Sequence, residues 1–143
     1  MKSNKNADMQ EPKNKVSPIF HLIEAGPKPV APFSHAVEVG ETIFVTGQMP
    51  DTPTNPGVLP EGVEAQTDNV MNNLNIILKA LDLGLENIVS VRVFLKEFKR
   101  DYQAFNDTYR SYFPEHRLPA RTCIGTTGLA YDALVEIDLI ACR

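Results

Sequence analysis

Four residues near the end of the chain have the side-chain types that carboxylate recognition and acid–base chemistry require. Arg121 and Cys123 alternate in Pro-Ala-Arg-Thr-Cys, and Glu136 and Asp138 alternate in Ala-Leu-Val-Glu-Ile-Asp. Alternate residues of a strand share one face, so each pair is expected to project together. A guanidinium binds a carboxylate through two parallel hydrogen bonds, and a glutamate accepts or donates a proton. The two runs therefore contain the groups needed for recognition of a small acid, with Glu136 moving protons or positioning water.

Arg121 and Cys123 each have a structural interpretation as well. An arginine in an apolar strand needs a carboxylate, because a buried charge that loses its partner costs about 3–5 kcal/mol. That carboxylate belongs either to Glu136 or Asp138, in an internal ion pair, or to a ligand. Cys123 is either a nucleophile or a packing residue. Packing is favoured, since no histidine is visibly placed to activate the thiol.

Hydrophobic periodicity and turn residues predict the elements that carry these side chains. Helical spacing runs through Val70, Leu74, Ile77, Leu78 and Leu81, and Gly84 is placed to end that helix. In the segment 88–96, Val89, Val91, Val93 and Leu95 alternate onto one face of a strand. Strands are predicted over 19–23, 35–39, 42–46, 88–96, 120–126 and 133–142, helices over 62–83 and 101–113, and a proline-rich loop over 50–60.

The resulting order, βββαβαββ, predicts an α+β domain with one mixed sheet and both helices on a single face. An aromatic stripe on the second helix is predicted to pack in the core: Tyr102, Phe105, Tyr109 and Tyr112. Phe94, Leu134 and Ile140 make the other face of the sheet too apolar for exposure. We therefore expect a partner subunit to cover that face.

Composition limits the remaining possibilities. A chain of 143 residues with 43% hydrophobic residues is expected to form one core. We place a single domain at 18–143 and a disordered tail at 1–17, because residues 1–15 are polar and lack branched apolar side chains. The formal charge of −4 disfavours nucleic acid and anionic membranes as partners. No apolar run is long enough for a membrane span or a secretory signal, so a cytoplasmic protein is expected.

Metal and cofactor chemistry are not indicated by any motif. His21, His35 and His116 lack ligand spacing and are interpreted as surface or loop residues. Two cysteines are too few for a disulfide framework or a cysteine-built zinc site. Phosphate-binding and dinucleotide-binding glycine motifs and the Gly-x-Ser-x-Gly motif do not occur in the sequence.

Four runs, in order along the chain, resemble the RidA/YjgF family. They are Val-Thr-Gly-Gln-Met-Pro at 45–50, Asn-Asp-Thr-Tyr-Arg-Ser-Tyr-Phe at 106–113, Pro-Ala-Arg-Thr-Cys at 119–123 and Ala-Leu-Val-Glu-Ile-Asp at 133–138. The resemblance extends from about Ile19 to Arg143. It implies a chorismate-mutase-like subunit whose last strand lies between the third and fourth. It also implies a homotrimer with a central β-barrel and active sites in the clefts between subunits.

The activity that the resemblance implies is hydrolysis of reactive 2-imino acids, or their enamine tautomers, to 2-oxo acids and ammonia without a cofactor. Arg121 matches the arginine that holds the substrate carboxylate, and Glu136 matches the glutamate associated with the attacking water. Cys123 matches a cysteine that lines the pocket and contacts substrate through its backbone. Further pocket positions are Phe33, Thr46, Gly47 and Asn106.

Two departures from the family pattern concern the pocket for the substrate side chain. The family often has tyrosine at the position of Phe33, and a proline commonly follows the leucine that matches Leu129, where this chain has Ala130 and Tyr131. Three alternative functions stay open at this point. They are deamination of a larger enamine such as 2-aminomuconate, an endoribonuclease or translation inhibitor, and a non-catalytic trimer that binds small carboxylates.

Overall fold

The structure, a computed structural model, describes residues 16–143. The predicted tail lies outside the described residues, except for Val16 and Ser17, which are exposed. The strands and helices follow the predicted order βββαβαββ. They are β1 (Ile19–His21), β2 (Ala36–Val39), β3 (Thr42–Gln48), α1 (Val63–Ala80), β4 (Ile88–Leu95), α2 (Phe98–Arg110), β5 (Ala120–Gly125) and β6 (Val135–Cys142).

All six strands form one mixed sheet in the order β1-β2-β3-β6-β4-β5. Among residues 16–143, only β4 and β5 pair in parallel, and the other neighbours are antiparallel. The last two strands are therefore not a hairpin, because β4 lies between them. This arrangement confirms both the α+β class and the central position of the last strand.

Both helices pack on one face of the sheet and leave the other face open. Strand β6 shows the division most clearly: Val135, Ile137, Leu139 and Ala141 are buried beneath the helices, whereas the residues between them are half-buried. The open face carries large apolar side chains from four strands: Phe44, Phe94, Ile124 and Ile140. The sequence predicted Phe94 and Ile140 there, but the same prediction was wrong for Leu134, which precedes β6 and packs against the core. No helix among residues 16–143 is long and apolar enough to cross a membrane.

Several predicted boundaries were wrong for local reasons. Helix α1 ends at Ala80 instead of residue 83, because Asp82 adopts a left-handed φ of 59° and Leu83 N–H donates to Leu78 O. The second helix spans 98–110 instead of 101–113. Val89, which was predicted to share a face with Val91, Val93 and Leu95, is instead 49% exposed. The cause is a shift in the register between β4 and β6, between Ile88 and Ser90.

Candidate functional site

Arg121 and Glu136 project from opposite faces of the sheet. Arg121 pairs with Val91 of β4, which is buried beneath the helices, whereas Glu136 pairs with Phe94 on the open face. Strand β4 lies between β5 and β6, so the two residues are two strand spacings apart, and they are also offset by three positions along the strands. Their Cα atoms are therefore about 14 Å apart. One chain therefore does not bring these two predicted catalytic residues to the same small molecule.

The first cluster, here called the arginine half-site, consists of Asn106, Arg121 and Cys123. Arg121 Nη2 donates to Asn106 Oδ1 at 2.8 Å, so α2 and β5 jointly position the guanidinium. The guanidinium carbon also lies 5.5 Å from the Phe105 ring centroid and 5.0 Å from that of Tyr109. The Asn106 contact brings together two residues that the sequence had placed in one pocket.

No aspartate or glutamate among residues 16–143 lies within ion-pair distance of Arg121. The internal ion pair with Glu136 or Asp138 was therefore a wrong interpretation. Asp138 is instead held by Arg92, whose Nε and Nη2 donate to its two carboxylate oxygens at 2.9 and 2.5 Å. Arg121 is half-buried and has the neutral Asn106 amide as its polar partner, so its charge remains available to an incoming carboxylate.

Cys123 is a packing residue in this environment. Its side chain is half-buried against the apolar core. Burial raises the pKa of the Cys123 thiol, and the positive charge of Arg121 opposes that shift only in part. The protonated thiol is a poor nucleophile. Since β5 is an edge strand, its backbone also presents unpaired groups on the side away from β4.

The second cluster, here called the glutamate half-site, consists of Phe33, Thr46, Gly47 and Glu136. Glu136 leans across β3 onto Gly47, where a Cβ atom would lie 2.1 Å from its Oε1. Glycine is therefore required at residue 47 for the observed position of the carboxylate. Strand β3 has a register irregularity between Val45 and Gln48, which includes this contact.

Burial raises the pKa of the Glu136 carboxyl above its ordinary value of 4.5, and the negative charge of Asp138 adds to this shift. A raised carboxyl pKa brings the group closer to neutral pH, where a residue that both accepts and donates protons is most effective. Phe33, Thr46 and Gly47 also line a groove of about 830 Å³ on the open face. Neither Arg121 nor Glu136 lines this groove, although the Glu136 carboxylate lies against Gly47, which does.

His35 holds the loop that carries Phe33. His35 lies in the loop before β2, which was one of its two predicted locations, but it is not a surface residue, because it is only 2% exposed. Its Nδ1 accepts the Ile23 N–H at 2.8 Å, which leaves the Nε2 proton to donate to Pro27 O at 2.6 Å. The backbone of Thr46 donates to His35 O at 3.0 Å and ties this loop to β3. No group of three or more potential metal ligands occurs in the part of the chain that the structure describes.

Comparisons with known proteins agree with this architecture. A family model described as Endoribonuclease L-PSP matches residues 23–143. A RutC family protein of Saccharolobus solfataricus is 38% identical over 118 residues, which cover 82% of this chain and 92% of that protein. An Escherichia coli protein named 2-iminobutanoate/2-iminopropanoate deaminase is 34% identical over 122 residues, covering 84% and 94%. The crystal structure of the YjgF gene product from E. coli superposes with a TM-score of 0.80 at 32% identity, covering 87% of this chain and 98% of that one.

A mixed six-stranded sheet with two helices on one face defines the chorismate-mutase-like class of α+β proteins. Within that class, the chain belongs to the endoribonuclease L-PSP family, which is the RidA/YjgF family that the four sequence motifs predicted.

Phe105 and Tyr109 were predicted as core residues, and their contact with Arg121 was missed. Both are buried, so the core prediction was right for these two, whereas Tyr102 is 38% exposed. Helical spacing alone places Phe105 and Tyr109 on one side of α2. The order β4-α2-β5 is compatible with a parallel pair, but the register that brings Arg121 alongside these rings has no local sequence signal.

Proposed function

We propose that this protein hydrolyses 2-imino carboxylates, or their enamine tautomers, to 2-oxo acids and ammonia. Arg121 binds the substrate carboxylate, and Glu136 positions and activates a water molecule. The E. coli relative named 2-iminobutanoate/2-iminopropanoate deaminase supports this reaction class for a chain of the same family. The observation that carries the proposal is the half-buried Arg121 guanidinium, which no carboxylate of residues 16–143 neutralises.

The reaction needs orientation more than it needs a reactive protein group. The C2 carbon of a protonated imine is already electrophilic, so fixing the substrate and the water supplies a large share of the acceleration. Water adds to C2 while Glu136 accepts one of its protons. The carbinolamine that forms receives this proton on nitrogen. Ammonia then leaves with the C–N electron pair as the C2 hydroxyl gives its proton to the Glu136 carboxylate and becomes the carbonyl of the 2-oxo acid.

We further propose that each active site combines the arginine half-site of one copy with the glutamate half-site of a neighbouring copy, in a homotrimer. The opposite-face placement of Arg121 and Glu136 supports this assignment, since about 14 Å within one chain is too far for a three-carbon acid to span. The apolar open face supports it as well, because Phe44 and Ile124 are 48% and 47% exposed on the single chain. A cytoplasmic location is part of the same proposal.

Competition between the enzyme and a trapping reagent tests the activity. An amino-acid oxidase acting on alanine generates 2-iminopropanoate, and semicarbazide captures it as an absorbing semicarbazone. The protein is expected to lower the rate of semicarbazone formation in proportion to its concentration. An unchanged rate across imines from small, branched and aromatic amino acids would refute the proposed deaminase.

Arg121→Ala is expected to abolish this effect. Arg110→Ala is the matched control, because Arg110 lies exposed at the end of the same helix that carries Asn106. Equal loss of activity in both variants would contradict a specific role for Arg121. Retained oligomeric state and circular dichroism in Arg121→Ala separate loss of chemistry from loss of folding.

A further inference from the structure

Two aromatic rings of α2 lie against the Arg121 guanidinium and have no part in the proposed reaction steps. The guanidinium carbon is 5.5 Å from the Phe105 ring centroid and 5.0 Å from the Tyr109 ring centroid. Both distances fall within the roughly 6 Å range in which a cation is attracted to an aromatic face. The two rings are themselves 5.5 Å apart with an interplanar angle of 31°, so they form one continuous surface.

The hydroxyl of Tyr109 contributes no hydrogen bond to this arrangement. It is buried and has no partner among the described residues. Burial raises the pKa of Tyr109 to about 12, and the charge of Arg121 opposes the shift. The phenol is therefore neutral at physiological pH, and Tyr109 acts on Arg121 through its ring face instead of through a phenolate charge.

We propose that Tyr109, together with Phe105, is a positioning residue that fixes the plane of the Arg121 guanidinium for carboxylate binding. The hydrogen bond from Nη2 to Asn106 Oδ1 restrains one edge of the guanidinium, and the aromatic surface restrains its plane. The remaining N–H donors are then held ready for a carboxylate, which lowers the entropy lost on binding. This inference rests on the proposed function, because the carboxylate that it serves is the substrate's.

Three variants separate positioning from folding. Tyr109→Leu removes the ring, and Tyr109→Phe keeps the ring while removing the unpartnered hydroxyl. Phe113→Leu is the matched control, because Phe113 is also buried and its ring lies 5.0 Å from Tyr109, yet it makes no ring contact with Arg121. Calorimetric titration with pyruvate gives Kd for a small 2-oxo acid, and the imine-trapping assay gives kcat and KM.

Tyr109→Leu is expected to weaken pyruvate binding and raise KM by about tenfold, the order expected for loss of one cation–π contact at a half-buried guanidinium, with kcat nearly unchanged. Tyr109→Phe is expected to bind pyruvate as the wild type does. Phe113→Leu is expected to bind pyruvate equally well, although its loss of thermal stability is comparable to that of Tyr109→Leu. Equal pyruvate affinities in Tyr109→Leu and Phe113→Leu would overturn the proposal. Equal weakening in Tyr109→Phe and Tyr109→Leu would also overturn it.

A spectroscopic readout tests the aromatic surface apart from the activity. The Arg121 Nε–H proton, assigned by its disappearance in Arg121→Lys, is expected to be shifted upfield by the rings in the wild type and in Tyr109→Phe. In Tyr109→Leu it is expected to move towards the ordinary arginine position. Absence of a ring-current shift in the wild type overturns the inference even if the deaminase is real. A shifted proton in a protein that neither binds pyruvate nor hydrolyses imines refutes the proposed function and leaves the aromatic contact without a role in binding.

Discussion

Mixing two inactive variants tests whether the active site combines two copies of the chain. Arg121→Ala lacks the carboxylate-binding group, and Glu136→Gln lacks the group that activates water. Each variant alone is expected to be inactive. When the two are unfolded together, refolded and purified as mixed oligomers, activity is expected to return, because some neighbouring copies then contribute an intact half-site each.

The expected recovery follows from the symmetry of a closed ring. An intact site needs Arg121 from a Glu136→Gln copy and Glu136 from an adjacent Arg121→Ala copy. In an equal random mixture that arrangement occurs at about one quarter of the sites, so about one quarter of the wild-type kcat is expected. The imine-trapping assay measures this fraction directly.

A second mixture provides the control. Wild-type chains mixed equally with the Arg121→Ala/Glu136→Gln double variant keep about one quarter of the activity if sites lie between copies, and about one half if sites lie within one chain. No recovery in the first mixture together with half activity in the second would refute the intersubunit arrangement.

Three further predictions concern single side chains. Gly47→Ala is expected to lower kcat at least tenfold while shifting the thermal midpoint little, because the added Cβ would displace the Glu136 carboxylate. An unchanged kcat would contradict a role for that contact. Cys123→Ala is expected to keep kcat within about threefold of wild type, since burial keeps the thiol protonated, and complete loss of kcat would indicate a nucleophile. Burial and the charge of Asp138 raise the pKa of Glu136, so the folded state binds its proton more tightly than the unfolded state and loses stability as pH rises above 4.5. Urea unfolding is therefore expected to show Glu136→Gln as more stable than wild type at pH 8, with the difference shrinking towards pH 4.5; equal stability throughout would contradict this sign.

The local sequence pattern was sufficient to predict the helices and strands of this fold but not the residues at which they end. Alternating valines predicted β4 and helical spacing predicted α1, because both elements bury one face against the same core. The end of α1 depended on Asp82, a residue for which a left-handed conformation is less usual than for glycine. Neighbours in the sheet could not be derived from local pattern, since β6 pairs with β3 and β4, both far from it in sequence.

The candidate site was predicted in its residue types but not in its arrangement. Motif resemblance selected Arg121 and Asn106, which the structure joins by a hydrogen bond. Alternation correctly put Glu136 and Asp138 on one face, yet nothing in the sequence showed that Arg121 projects from the other face. That separation depends on which residues of β4 pair with Arg121 in β5 and with Glu136 in β6. This register is a property of the whole sheet and not of the local sequence.

A crystal structure of the protein grown with pyruvate tests the central claim most directly. We expect the pyruvate carboxylate to accept hydrogen bonds of about 2.7–2.9 Å from Arg121 of one copy, with its keto carbon facing Glu136 of a neighbouring copy. Pyruvate bound elsewhere with Arg121 in solvent, or Arg121 paired with a carboxylate of the protein itself, would contradict the proposed function.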